Sequence, residues 1–193
     1  MKYLLISAAF AASMLAPSAA VAQQVPAPII IVVDSNRAAN ECNACKTAAA
    51  SLRSQATAFE TRRTTLSNQL ATERQSIQTA VNALQGKQPD AALQARAKAF
   101  ETKAQAAEKE LGDTQQRLQS INVNILRQIR EKLDPAVNTV MTQRGANLAL
   151  ETDNTLGHAS GLDVTAQVIA QLNATLTSIS VAPLPPQSTP QGR

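Results

Sequence analysis

Two stretches of this chain mirror each other. On the descending side, seam positions recur at alternating steps of three and four: Leu52, Ala56, Phe59, Arg63, Leu66, Leu70, Glu73, Ile77, Ala80 and Leu84. On the ascending side the series is Leu93, Ala97, Phe100, Ala104, Ala107, Leu111, Thr114, Leu118, Ile121 and Ile125. The two series reflect through the point between Gln88 and Pro89, so that Leu84 faces Leu93, Ile77 faces Phe100, Phe59 faces Leu118 and Leu52 faces Ile125. A 3-4 spacing is the seam of a coiled coil. Gly86-Lys87-Gln88-Pro89-Asp90, at the mirror point, has the chemistry of a turn. The pattern predicts one long antiparallel helical hairpin over residues 37–133, turning at 86–90. Such an arm reaches outward and encloses no active site.

The predicted seam is thin. Leu70 faces Ala107, Ala80 faces Ala97, and two layers carry a polar residue, Arg63 with Thr114 and Glu73 with Ala104. A buried leucine contributes ~1.5–3 kcal/mol and an alanine far less, so the arm should bend and splay most easily at its polar layers. Composition agrees. The chain has three Phe, one Tyr and no Trp, and beyond residue 22 only Phe59 and Phe100 remain. Apolar burial must come from helical seams, a small head, or association between subunits.

The two ends of the chain read differently from the arm. Lys2, an apolar run from Tyr3 to Leu15 and the small-x-small triplet Ala20-Val21-Ala22 form a secretory signal over residues 1–22, with cleavage between Ala22 and Gln23. The run is too short for a membrane span, and a periplasmic protein is expected. Ile29-Ile30-Ile31-Val32-Val33 reads as a buried strand, and Asp34-Ser35-Asn36 offers helix caps. The first helix is expected from about Arg37 to about Gln85, and the return helix from near Asp90 to about Leu133. Asp134-Pro135 should start a separate short helix ending at Gly145. Asn147–Glu151 reads as a second strand, and Asp163 as the cap of an amphipathic helix with Val164, Val168, Ile169, Leu172 and Leu176 on one face. The Pro/Gln-rich residues 181–193 are expected to be disordered. Residues 23–36 and 134–180 must therefore meet in one small head, for which pairing of strand edges between subunits is the natural completion. The fold class is α+β, predominantly α.

Charge is unevenly spread. Lys46–Lys132 carries an excess of Lys and Arg, whereas the stretches on either side of it are acidic, with Asp34, Glu41, Asp134, Glu151, Asp153 and Asp163. A basic arm attracts acidic polymers or an anionic membrane surface. Arg62, Arg63 and Arg74 on one helix, with Arg96, Lys98 and Lys103 on the other, are candidates for contact with acidic or zwitterionic partners. They read equally well as the charged surface of a coiled coil. Nucleic acid is a poor partner, since no aromatic or glycine-rich recognition motif is present.

Cys42-Asn43-Ala44-Cys45 is the one reactive candidate. Residues three apart on a helix lie within disulfide range, and an oxidising compartment favours the bond. Four readings stay open: a disulfide stapling the first turns of the arm, disulfides between subunits, a redox-active pair, and a metal site needing further ligands from elsewhere. Lys46 follows the pair where haem attachment needs histidine. His158, between Gly157 and Gly161, reads as a surface-turn residue, and no nucleophile has a histidine–carboxylate partner in a recognisable motif. No catalytic residue, metal or cofactor is assigned.

The order of these parts resembles the Skp/OmpH family of periplasmic chaperones: a signal, a leading Ile/Val strand ending in Asp34, a long hairpin, Leu148-Ala149-Leu150-Glu151, and Asp163-Val164-Thr165-Ala166-Gln167-Val168-Ile169. The most specific local mark is the D-[IV]-T-x-x-[VI] start of the last helix, with the short strand before it. The resemblance implies a homotrimer joined through a small β-containing trimerisation head. Its three arms would hold unfolded outer-membrane β-barrel proteins without ATP until delivery to the outer-membrane assembly machinery. The Cys-x-x-Cys and the proline-rich tail depart from that pattern, and no basic cluster matching a proposed lipopolysaccharide site is found. Two other functions stay open at this level: a structural or tethering coiled-coil protein of the cell envelope, and a thiol-disulfide redox protein using Cys42 and Cys45.

Overall fold

A computed structural model describes residues 26–185. The expected signal and its cleavage point at Ala22 and Gln23 lie outside the described residues, as do residues 186–193 of the tail. The elements run β1 (Ile30–Val33), α1 (Ser35–Glu41), α2 (Asn43–Ala83), α3 (Ala91–Arg144), β2 (Leu148–Glu151) and α4 (Thr165–Thr175), with two 3₁₀ turns between β2 and α4.

The head is organised around β1. Its β-branched residues Ile31, Val32 and Val33 are buried, and it pairs in parallel with β2, Ile30 opposite Leu148 and Val33 opposite Glu151. Parallel strands need a crossover, and here the whole hairpin is the crossover. The lead-in to β1 is held by one side chain. Asn147 accepts from the Ile29 N–H at 2.8 Å and donates to the Ala27 carbonyl at 2.9 Å. On its other edge β1 meets the Asp163-Val164-Thr165 segment. The Val164 N–H donates to the Val32 carbonyl at 3.0 Å, and the Asp34 N–H to the Thr165 hydroxyl at 2.9 Å. Asp34 itself caps α1 by accepting from the Arg37 N–H at 2.7 Å. From α4, Val168 and Leu172 close the core against Ala136 and Val140 of α3, with Val164 and Leu176 at its two ends.

The hairpin is long, α2 alone spanning about 60 Å at ~1.5 Å per residue. Its turn places Gly86 at a φ of +88°, a left-handed backbone that glycine adopts without steric penalty. All ten ascending seam positions are withdrawn from solvent, and Leu66 and Ala107 are buried in the seam. Two descending positions are corrections: Ala56 and Arg63 are exposed, and Gln55 is half-buried beside Phe59. A straight helix repeats every 3.6 residues rather than 3.5, so a strict 3-4 register drifts off the seam.

The helix boundaries also differ from expectation at both ends of the arm. The first helix is broken at Cys42, which is extended (φ −63°, ψ 146°) and ends α1 while capping α2 through its sulfur, with the Cys45 N–H 3.1 Å away. At the other end the expected break at Asp134-Pro135 is absent, and α3 runs unbroken to Arg144. Proline removes the donor that would meet the Glu131 carbonyl. Glu131 is exposed to water, while continuing the helix puts Ala136 and Val140 into the core. Burial of these side chains outweighs one missing backbone bond. Gly145, left-handed at a φ of +64°, then stops α3.

The tail gives a further correction. Residues 176–185 leave α4 and run back up the base of the arm. Leu176 is buried, Ile179 and Val181 pack on the core, and Ala182 and Leu184 are hydrogen-bonded to α3.

Candidate functional site

The arm offers open surfaces rather than an enclosed pocket. One shallow cleft of about 260 Å³ lies where α2 and α3 part, lined by Phe59, Leu111 and Leu118 with Arg62 and Arg117 at its rim. Nearer the tip, Gln69, Glu73, Ser76, Arg96 and Lys103 border a second, wider cleft. Val123 and Leu126 add exposed apolar surface lower on α3, and Val81 adds it near the turn.

Most of the candidate basic residues tie the two helices together. Arg62 grips Glu110 with two hydrogen bonds, at 2.7 and 3.0 Å. Lys103 meets the half-buried Glu73 at 2.7 Å, so that polar seam layer is satisfied across the hairpin. Arg96 donates to the Ser76 hydroxyl at 2.7 Å, and the Arg74 guanidinium lies 5.8 Å from the centre of the Phe100 ring. Arg63 pairs with Glu60 on its own helix, while Lys98 is exposed and has no ion-pair partner among the described residues. The Glu110 carboxyl is held below the usual carboxylate range by the Arg62 hydrogen bonds, and Arg62 is raised in turn. These pairs are exposed and open to screening by salt.

Arg53 and Arg117 were not singled out by sequence reasoning, yet both border clefts and have no ion-pair partner among the described residues. The signal for them lies in the spacing. Arg53 has no acid three or four residues away, and Asp113, four before Arg117, is taken by Lys109.

Cys42 and Cys45 form a disulfide with Cα atoms 5.0 Å apart. Both are buried, at 0% and 3% exposure, between α1, α2 and α4. The next backbone group, the Asn43 N–H, is capped by Asn173 of α4 at 2.7 Å. A thiol-exchange partner must reach a sulfur, and here both sulfurs are covered. His158 is exposed, with its Nδ1 near the Ala159 carbonyl. Among the described residues no group of His, Cys, Asp or Glu is arranged to hold a metal ion, and no helix is long and apolar enough to cross a membrane.

A family model described as outer membrane protein (OmpH-like) matches residues 29–172, from the lead-in of β1 to the last buried leucine of α4. The chain belongs to the OmpH-like family. The matched span takes in the segment that the structure shows locking β1 to α4, Asp163-Val164-Thr165. It stops short of the strap that climbs back along the arm. Among solved structures, the chain is similar to a protein of Caulobacter crescentus, provisionally named an outer membrane chaperone (OmpH-like). The two share 17% identity and a TM-score of 0.69, over 86% of this chain and 96% of that one. At that identity the likeness is one of fold. No curated protein matches the chain.

Proposed function

We propose that this protein is an ATP-independent holdase chaperone of the periplasm, working as a homotrimer on unfolded outer-membrane β-barrel proteins. The observation that carries this reading is the union of a long, thinly packed, basic prong with a small head. Many weak apolar and ionic contacts, shared over mobile arms, keep the unpaired strand edges of a client from meeting one another. Arg53, Lys98 and Arg117 are the charges best placed for such contacts, because Arg62, Arg74, Arg96 and Lys103 are already engaged across the hairpin and Arg63 pairs with Glu60 on its own helix.

Self-association is supported by the head itself. Among the described residues β2 pairs only with β1, and a groove of about 560 Å³ opens beside it, bordered by Leu133, Val137, Met141, Leu148 and Leu150. An edge strand and a groove in which these apolar side chains stand among Asp134, Asn138 and Glu151 are, in so small a head, naturally covered by another copy. The expected signal sequence and the buried disulfide fit an oxidising periplasm.

Dilution of a urea-unfolded outer-membrane β-barrel protein into buffer tests the reading. A few-fold excess of this protein should suppress the turbidity that develops. Unchanged turbidity from a protein that is folded and trimeric by sedimentation would leave the tethering role in the cell envelope as the better account.

A further inference from the structure

The strap that follows α4 is held on α3 by its main chain. The Gln128 amide donates to the Ser180 carbonyl at 3.0 Å and accepts from the Ser180 N–H at 2.9 Å, as a neighbouring strand would. The Asn124 amide donates to the Ala182 carbonyl at 2.9 Å, and the Leu184 N–H donates to the Ser120 hydroxyl at 2.9 Å. Ser120, Asn124 and Gln128 stand four residues apart on one helix, and their partners stand two apart on an extended chain running the opposite way. The spacings agree for a geometric reason. Four helical residues rise about 6 Å, and two extended residues rise about 6.6 Å. The ladder therefore reads every second residue of an extended polypeptide and touches no strap side chain by hydrogen bond. Asn124 is held ready for this, buried and with its oxygen accepting from Arg127 at 2.9 Å.

On its other flank the strap is loosely seated. Ile179 and Val181 are only half-buried, Ser178, Ser180 and Ala182 are exposed, and a cleft of about 300 Å³ remains against Ala44, Thr47 and Ala48 of α2. We infer that the Ser120-Asn124-Gln128 ladder is a binding track for extended, unfolded polypeptide, and that residues 177–185 occupy it as a displaceable internal competitor. That the natural occupant is a chaperone client rests on the function proposed above; the track and its competition do not. A main-chain ladder tolerates any sequence without proline at the bonded N–H positions, which suits a partner that is unfolded and varied.

The test compares the full chain with a variant ending at Leu176, using reduced, carboxymethylated α-lactalbumin as a permanently unfolded probe. Loss of the competitor should tighten probe binding roughly three- to tenfold, since affinity rises with the fraction of molecules whose track is open. A synthetic peptide of residues 177–185 should then displace the probe, and Gln128→Leu in the shortened chain should weaken both peptide and probe. If the shortened chain fails to fold, Ile179→Asp with Val181→Asp in the full chain releases the strap without touching the track and should produce the same tightening. Equal probe affinity with and without the strap, or a peptide that neither binds nor competes, overturns the inference. A strap that only braces the arm would lower the melting temperature and leave probe affinity unmoved or reduced. A protein that fails to suppress β-barrel aggregation yet shows the strap-dependent competition would keep the track and lose the chaperone reading.

Discussion

The base of the arm and its distal part are made from the same two helices, yet they are packed very differently. At the base, Ala44 and Ala48 of α2 and Ile121, Ile125 and Ile129 of α3 are buried in one continuous core with the head. Between Leu52 and Ser120 only Leu66 and Ala107 are buried. Two helices in contact can hide no more than a stripe of each other. Burial on several sides needs a third element, and only the base has one, first α1 and α4 and then the strap. Distally, cross-arm pairs such as Arg62–Glu110 and Lys103–Glu73 take over. Such pairs set the register while contributing little to stability in water. The molecule is thus a rigid root bearing a compliant prong. Compliance is what a protein needs if it must shape itself around partners of no fixed form.

The largest test of this contrast is a pair of truncations. Leu172→Ala, at a fully buried site in the root, should lower the unfolding free energy by about 3–5 kcal/mol. Ile77→Ala, at a half-buried seam position, should cost no more than about 1–1.5 kcal/mol, because the site is already partly wet and collapses easily. Urea unfolding followed by circular dichroism reads both values, and equal losses would erase the distinction between root and prong.

Reducing the disulfide should have a smaller effect and a local one. Closing so short a loop removes ~2 kcal/mol worth of chain entropy from the unfolded state. Reduction under mild denaturant should therefore lower the unfolding midpoint. Hydrogen exchange should speed up around residues 38–48 and stay unchanged near the turn at 86–90. Exchange rising first at the tip would show that the bridge braces the prong rather than the root.

The smallest effect separates two carboxylates by how they are held. In the root, the Asp163 carboxyl is lowered from its ordinary value chiefly by hydrogen bonding from the Thr165 hydroxyl and then from the Thr165 N–H, with His158 and Arg37 adding to it. A group depressed in the folded state stabilises the fold above its unfolded pKa, and that stability is lost as pH falls through the lower folded value. Wild-type protein should therefore lose stability below about pH 4 through this group, and Asp163→Asn should remove that portion of the acid dependence. Because fixed dipoles supply most of the shift, 1 M salt should barely change it. Glu110 in the prong is lowered chiefly by hydrogen bonding from the Arg62 guanidinium, a contact between two solvated, mobile side chains, so 1 M salt should reduce its shift more than that of Asp163. NMR titration of the two carboxyls at low and high salt measures the difference directly.

Much of the prong was legible in the chain because its information is local and periodic. The three-four spacing located the seam and the turn, and the match failed only where helical drift swung Ala56 and Arg63 outward. The β-branched run, the Asp34 cap and the apolar face of α4 were legible for the same reason, since each is a short-range preference of its own residues. The sites of contact were less so. Arg62, Arg96 and Lys103 look like free charges in sequence, and only the facing helix shows that they are spent on Glu110, Ser76 and Glu73.

Periodicity and capping thus determined, from sequence alone, that a hairpin projects from a small mixed head. Tertiary packing decided the rest. Pro135 lies within α3 because Ala136 and Val140 gain more by entering the core than one backbone bond is worth. Cys42 interrupts the first helix where its sulfur caps the second. Residues 181–185, the start of the stretch whose composition reads as disorder, are ordered with the rest of the strap because Ser120, Asn124 and Gln128 present a polar ladder of matching pitch. For Pro135 and the strap the deciding partners lie far away along the chain, where no local preference can register them; at Cys42 the partner is only three residues on, but it is the packing of α4 that buries the pair.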